Sequence, residues 1–198
     1  MPVTFSNQIA IGTQAPDFNL GDAEGRIFSL SDVAGAKAVL VAFISNRCPY
    51  VLHIQEAFSA YARDYAAKGV RVIAINSNDA SSYPVESLAA SGERAREFGY
   101  DFIYLKDENQ DVAKAYGAAC TPDLYLFDGD LKLFYHGQFD GSRPKNDVPV
   151  TGADLRAATD LLLTGQSPPA DQKNAIGCNI KWIAGKEPSW FGAPAAAE

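Results

Sequence analysis

The sequence predicts an α/β fold, and three observations carry that expectation. An apolar run at residues 38–45, an amphipathic stretch and a second apolar run at 69–77 follow one another in the order of a βαβ unit, for which a right-handed parallel crossover is strongly favoured. Two later runs meet at Asp128-Gly129-Asp130, and an Asp-Gly pair between apolar segments is a hairpin signal that adds antiparallel strands. The length of 198 residues, 47% apolar and 21% charged, suits one globular unit and argues against disorder, collagen-like repeats and coiled coil.

The elements follow in order. Residues 38–45, AVLVAFIS, form a continuous apolar run rich in β-branched residues, the pattern of a strand buried on both faces. The run ends at Asn46-Arg47-Cys48-Pro49. From Val51 the residues Ile54, Phe58, Tyr61 and Tyr65 recur at helical spacing, and Gly69 stands where a helix C-terminal glycine belongs. GVRVIAINS supplies the second strand, and a polar loop covers 76–84. A helix is predicted over 85–98, a strand over 101–107, a short helix over 110–117 and a β-hairpin over 124–137. After a loop at 141–152, Asp154 to Leu163 form the last helix, ended by Gly165. Residues 1–166 are thus read as the domain, and 167–198 as a tail of surface coil packed on it. The terminal APAAAE is of low complexity.

Charge and cysteine content narrow the function. Seventeen basic residues against 24 acidic leave a net charge of −7, and the basic residues are scattered, so nucleic acid is not an expected partner. No apolar run approaches the roughly 20 residues of a membrane helix, and no secretory signal opens the chain; a cytoplasmic protein without membrane contact is expected. Three cysteines are too few and too widely spaced for a disulfide framework and lack the paired spacing of a zinc site. Asp79, Asp140 and Asp147 lack the alternation of a calcium loop, so neither a metal nor another cofactor is expected.

Cys48 is the most informative residue. A cysteine directly after a parallel strand and before a helix lies outside the carboxyl end of the sheet, where α/β folds place their sites. Pro49 suits the first helical position, because its missing N–H would have no partner there, and this makes Cys48 the N-cap. Free backbone N–H groups and the helix dipole then favour thiolate over thiol, with Arg47 adding a positive charge beside it. A buried structural thiol is the bland alternative, but such a thiol needs no following proline. Further along, Cys120-Thr121-Pro122 brings an X-Pro bond into a strand from a loop, a place where a cis peptide can be held.

The Cys-Pro turn, the Thr-Pro before the hairpin and Gly12-Thr13-Gln14-Ala15-Pro16-Asp17-Phe18 together resemble the thioredoxin superfamily, in particular its AhpC/TSA or redoxin branch. Residues 46–55, 76–84, 137–144 and 172–182 resemble a peroxiredoxin-like group within it. The resemblance implies a thioredoxin-like fold, a central mixed sheet flanked by helices, here with an amino-terminal extension and a carboxyl-terminal coil tail. It places Cys48 on the attacking cysteine of a Cys-x-x-Cys motif whose second position is Val51. It also makes Pro122 the cis-proline beside the active site and Thr121 the residue whose backbone pairs with substrate. The peroxiredoxin pattern Pro-x-x-x-Thr-x-x-Cys finds Ile44, Cys48 and Val51 at its three places, so the usual peroxidase motif is missing.

The expectation is a thiol-dependent oxidoreductase in which Cys48 attacks a disulfide or oxidised thiol. The resolving partner is Cys120 first, because its loop lies next to the helix turn in this fold, and Cys178 second, in a tail that must fold back. Thr121, Pro122, Arg47 and Asn76 are expected to position substrate. Expected partners are protein or small-molecule disulfides or hydroperoxides, with an external thiol reductant. Two alternatives stand beside this: an atypical peroxidase with an antioxidant role, and a non-catalytic redox-sensing or binding module. His53, His136 and Arg143 read as structural in the first instance, His53 with a possible minor influence on Cys48.

Overall fold

The computed structural model describes residues 3–192, so the Ala-rich stretch at 193–198 lies outside the described residues. The chain begins with strand β1 (Val3–Phe5), the two-residue strands β2 (Leu20–Gly21) and β3 (Ile27–Phe28), and a 3-10 turn at Leu30–Val33. Strand β4 (Ala38–Phe43), helix α1 (Pro49–Ala66) and strand β5 (Val70–Asn76) form the predicted βαβ unit, paired in parallel from Ala38↔Val70 to Phe43↔Ile75.

A 3-10 turn (Pro84–Glu86) precedes helix α2 (Leu88–Glu97), so the predicted helix over 85–98 starts three residues late. The cause is local: the Ser87 hydroxyl accepts the Ala90 N–H and caps the helix there. Strand β6 (Ile103–Lys106), helix α3 (Asp111–Ala115), strand β7 (Cys120–Thr121), the hairpin of β8 (Asp123–Asp128) and β9 (Leu133–Gly137), helix α4 (Ala153–Leu163) and strand β10 (Ile176–Asn179) complete the chain. In the hairpin turn one oxygen of Asp128 accepts the N–H groups of both Asp130 and Lys132, each at 2.9 Å.

Seven strands form one mixed sheet in the order β3-β2-β6-β5-β4-β8-β9. Strand β4 lies inside it, parallel to β5 and antiparallel to β8. Its alternation shows why the run is apolar without a break. Ala38, Leu40 and Ala42 pack with α1 and α4 on one face, while Val39, Val41 and Phe43 pack with α3 and the amino-terminal segment on the other. Burial on both faces leaves no place for a polar residue. Among the described residues no helix is long and apolar enough to cross a membrane.

The carboxyl-terminal tail departs from the coil expected of it. Most of it is irregular, but β10 is the middle strand of a second, three-stranded sheet, antiparallel to β1 and to β7. Four residues, Ile-Gly-Cys-Asn, are too short a run to show a period of two. The pairing joins Val3 to Cys178 and Cys178 to Thr121, contacts too distant in sequence for any local pattern to signal. The amino-terminal extension shares this origin, since β1 exists by pairing with β10.

Candidate active site

The turn after β4 is held by a buried carboxylate. Glu86, fully buried in the 3-10 turn before α2, accepts the Ser45 hydroxyl at 2.6 Å, the Asn46 N–H at 2.9 Å and the Asn76 side-chain amide at 2.8 Å. The Ser45 oxygen in turn accepts the N–H groups of Arg47 and Cys48. Asn46 donates to the Val85 carbonyl and the Ser91 hydroxyl and accepts from the Tyr104 hydroxyl. The buried polar side chains of this turn are thereby matched, as removal from water requires.

Cys48 follows as the N-cap of α1, with extended φ −67° and ψ 121°, and Pro49 is the first helical residue. The sequence expectation for this turn holds. The sulfur lacks full capping hydrogen-bond geometry, yet the Val51 N–H is close enough to help lower its pKa. Cys48 is only 1% exposed, and when protonated its thiol donates to the Thr121 carbonyl at 3.1 Å. The Thr121-Pro122 peptide is cis, as the resemblance implied.

The decisive neighbour comes from the tail. Cys178 on β10 stands directly opposite Thr121, so the two side chains share one face. The neighbouring Cys178 thiol is the main influence that holds Cys48 down at about 6, against the opposing effect of burial. The Thr121 hydroxyl also lowers it, although that hydroxyl is buried without a hydrogen-bond partner among the described residues. Its proximity is real, but its bond is not fully formed. Cys178 itself is pushed far up, because its proton is held between the two sulfurs. The pair therefore favours the anion on Cys48, with Cys178 keeping its proton.

Cys120, the first expected partner, is differently placed. It is fully buried and stands opposite Asn179, and alternation along a strand turns its side chain away from the face shared by Thr121 and Cys178. Its thiol faces the Pro122 and Ala175 carbonyls. Burial and the nearby Asp123 carboxylate push its pKa well up, so it is a poor nucleophile.

The other expected residues divide. Thr121 and Pro122 flank the sulfurs. Arg47 lays its guanidinium over the Tyr83 ring, 4.5 Å from the centroid. Asn76, expected to position substrate, is fully buried with its amide bonded to Glu86 and its oxygen to Asn78, so it supports the turn and presents nothing outward. His53 pairs with Ser142, and His136 with Asp123 at 2.7 Å. Arg143 donates to the carbonyls of Asp140 and Ser142.

Two residues had no sequence signal as members of the site. Glu86 fell inside a predicted helix, where an acidic residue reads as solvated. Lys181 fell in the tail, yet its ammonium lies near both sulfurs. Burial lowers its pKa and the sulfurs partly restore it. Lys181 donates to the backbone and side-chain oxygens of Asn179, each at 2.7 Å.

A cysteine capping a helix at the carboxyl edge of a mixed sheet, facing a cis-proline, is the arrangement of the thioredoxin superfamily and its redox proteins. The chain belongs to the AhpC/TSA family, whose sequence profile matches residues 11–136. It is 30% identical over 130 residues to the thiol-disulfide oxidoreductase ResA of Geobacillus thermodenitrificans, a match covering 66% of this chain and 70% of ResA. It is 26% identical over 141 residues to the chloroplastic peroxiredoxin Q of Oryza sativa subsp. japonica, covering 67% of this chain and 61% of that protein. The crystal structure of a hypothetical protein from Sinorhizobium meliloti superposes with a TM-score of 0.91 at 55% identity, covering 92% of this chain and all of that one. The family profile stops short of the tail, so Cys178 lies beyond it.

Proposed function

We propose that the protein is a thiol-disulfide oxidoreductase whose working pair is Cys48 and Cys178. The register that sets Cys178 directly across from Thr121, whose carbonyl touches the Cys48 sulfur, carries this reading. The Cys48 thiolate attacks one sulfur of a disulfide RS–SR and expels RS⁻, leaving the mixed disulfide Cys48–S–SR. Cys178 gives up its proton and attacks the Cys48 sulfur, expelling the second RS⁻. In sum, one protein dithiol and one RS–SR become one protein disulfide and two RSH. An external thiol R′SH resets the pair, two equivalents yielding R′S–SR′. Lys181 favours the negative charge that passes between the two sulfurs, and Val51 at the second motif position leaves resolution to the tail.

The test is peptide mapping after the reduced protein meets hydroxyethyl disulfide. A Cys48–Cys178 link with two equivalents of released thiol is expected, and Cys178→Ala should stop at the mixed disulfide on Cys48. A link through Cys120, or no link at all, overturns the reading.

A further inference from the structure

The same strand that brings Cys178 to the site also closes it. On its face toward β7, β10 packs so tightly that a Cβ at Gly177 would lie 1.9 Å from the Thr121 carbonyl oxygen and 3.2 Å from the Pro122 nitrogen. Only glycine allows that approach. On its other edge β1 pairs with it over three residues. Cys48, Cys178 and Cys120 are 1%, 5% and 0% exposed as a result.

The closure is anchored on both sides. Before β10, the Ala175 N–H donates to the Ser6 hydroxyl, and Lys173 accepts the Gln138 N–H. After it, the Lys181 N–H donates to the Asn78 side chain and the Lys181 carbonyl accepts the Asp79 N–H. The Gln110 side chain also ties down Lys181 and Ile183. The cleft lined by Tyr50, His53, Ile54, Pro122, Ala175 and Ile176 has a volume of about 20 Å³, room for little more than a water molecule.

We infer that β10 is a size gate that confines the site to low-molecular-weight disulfides, with Gly177 as the specificity-determining residue; the inference rests on the dithiol reading above. A polypeptide disulfide needs a stretch of backbone beside the attacking sulfur, and the backbone edge of β7 there is already paired with β10. A small disulfide needs side-chain movements around the cleft, whereas a polypeptide needs the anchored strand to leave. The unpartnered Thr121 hydroxyl is a donor for the sulfur of such a guest. Small thiols reset the buried disulfide for the same reason of access.

The test compares one reactive group at two sizes. Labelling of Cys48 by N-ethylmaleimide and by the same maleimide on a long polyethylene glycol chain is followed by mass spectrometry and normalised to the urea-unfolded protein. In the intact chain the bulky reagent should be slower by about 100-fold, since it waits for local opening. Gly177→Ala should narrow the gap to within about tenfold and slow formation of the Cys48–Cys178 link. Should that variant fail to fold, Gln110→Ala, which frees the anchor beyond β10, is expected to narrow it too. Equal normalised rates in the intact protein overturn the gate. In a second arm, hydroxyethyl disulfide is compared with an unfolded polypeptide carrying a disulfide. Equal oxidation rates also overturn the gate while leaving the dithiol reading intact. Failure of both compounds to oxidise the pair, with the maleimide gap preserved, overturns the dithiol reading and the substrate class with it.

Discussion

Cys120 and Cys178 lie on adjacent strands one register step apart, both buried, yet only one faces the reactive thiolate. Cys178 pairs across from Thr121, and Cys120 from Asn179. Because side chains alternate along a strand, that single step decides which cysteine shares a face with Cys48. The environments follow from it. Cys178 faces another sulfur and favours its negative charge, while Cys120 sits against carbonyls and beside the Asp123 carboxylate, where burial and charge disfavour an anion. Closeness in space is therefore a weak guide to redox partnership; orientation is what selects.

The contrast can be broken by experiment. The largest effect should come from Cys48→Ser, which is expected to abolish disulfide exchange completely, read as thiol release from hydroxyethyl disulfide. If exchange persists through another cysteine, the assignment of roles is wrong. Next, Cys178→Ala should raise the midpoint of Cys48 alkylation from about 6 toward the ordinary thiol value of about 8.5, with the iodoacetamide rate against pH as the measurement. Below pH 6 the rate in the unaltered protein should fall about tenfold per pH unit, following the thiolate. The sign for stability follows from linkage. A folded-state pKa below the unfolded value makes stability rise with pH from about 6 up to the ordinary thiol range and fall away as pH drops through 6. Cys178→Ala should flatten that rise in urea titrations.

A third variant asks whether the Cys48 turn depends on its carboxylate. Glu86→Ala leaves the Ser45, Asn46 and Asn76 donors without their acceptor, at a cost of about 3 kcal/mol in urea unfolding. It should also slow exchange by loosening the sulfur's position. The smallest effect belongs to Cys120→Ala, which should cost about 1 kcal/mol for the lost packing and leave the formation of the Cys48–Cys178 link unchanged. A slower link in that variant would return Cys120 to the reaction.

What could be read in advance was local. Strand β4 announced itself because burial on both faces forces six apolar residues in a row. Cys48 announced itself because Pro49 marks a helix start and the preceding residues end a strand. The hairpin was legible from Asp128 and Gly129, whose turn chemistry acts over a few residues. Glu86 was not, because a carboxylate that anchors three donors from two other segments looks in sequence like any surface glutamate. Asn76 was assigned outward for the opposite reason: a strand end at the carboxyl edge commonly faces a pocket, and only the buried network shows that this one is turned to Glu86.

By itself, then, the sequence determined the βαβ core, the helix-capping cysteine and the absence of a second cysteine at Val51, all features whose causes lie within one turn or one strand. The tertiary structure decided the partner. A four-residue strand pairs with β1 and β7 across long stretches of chain, and Gly177 permits a backbone approach that no local pattern demands. Strand pairing is a contact between distant segments, and its register, not its composition, turned Cys178 toward the thiolate and Cys120 away.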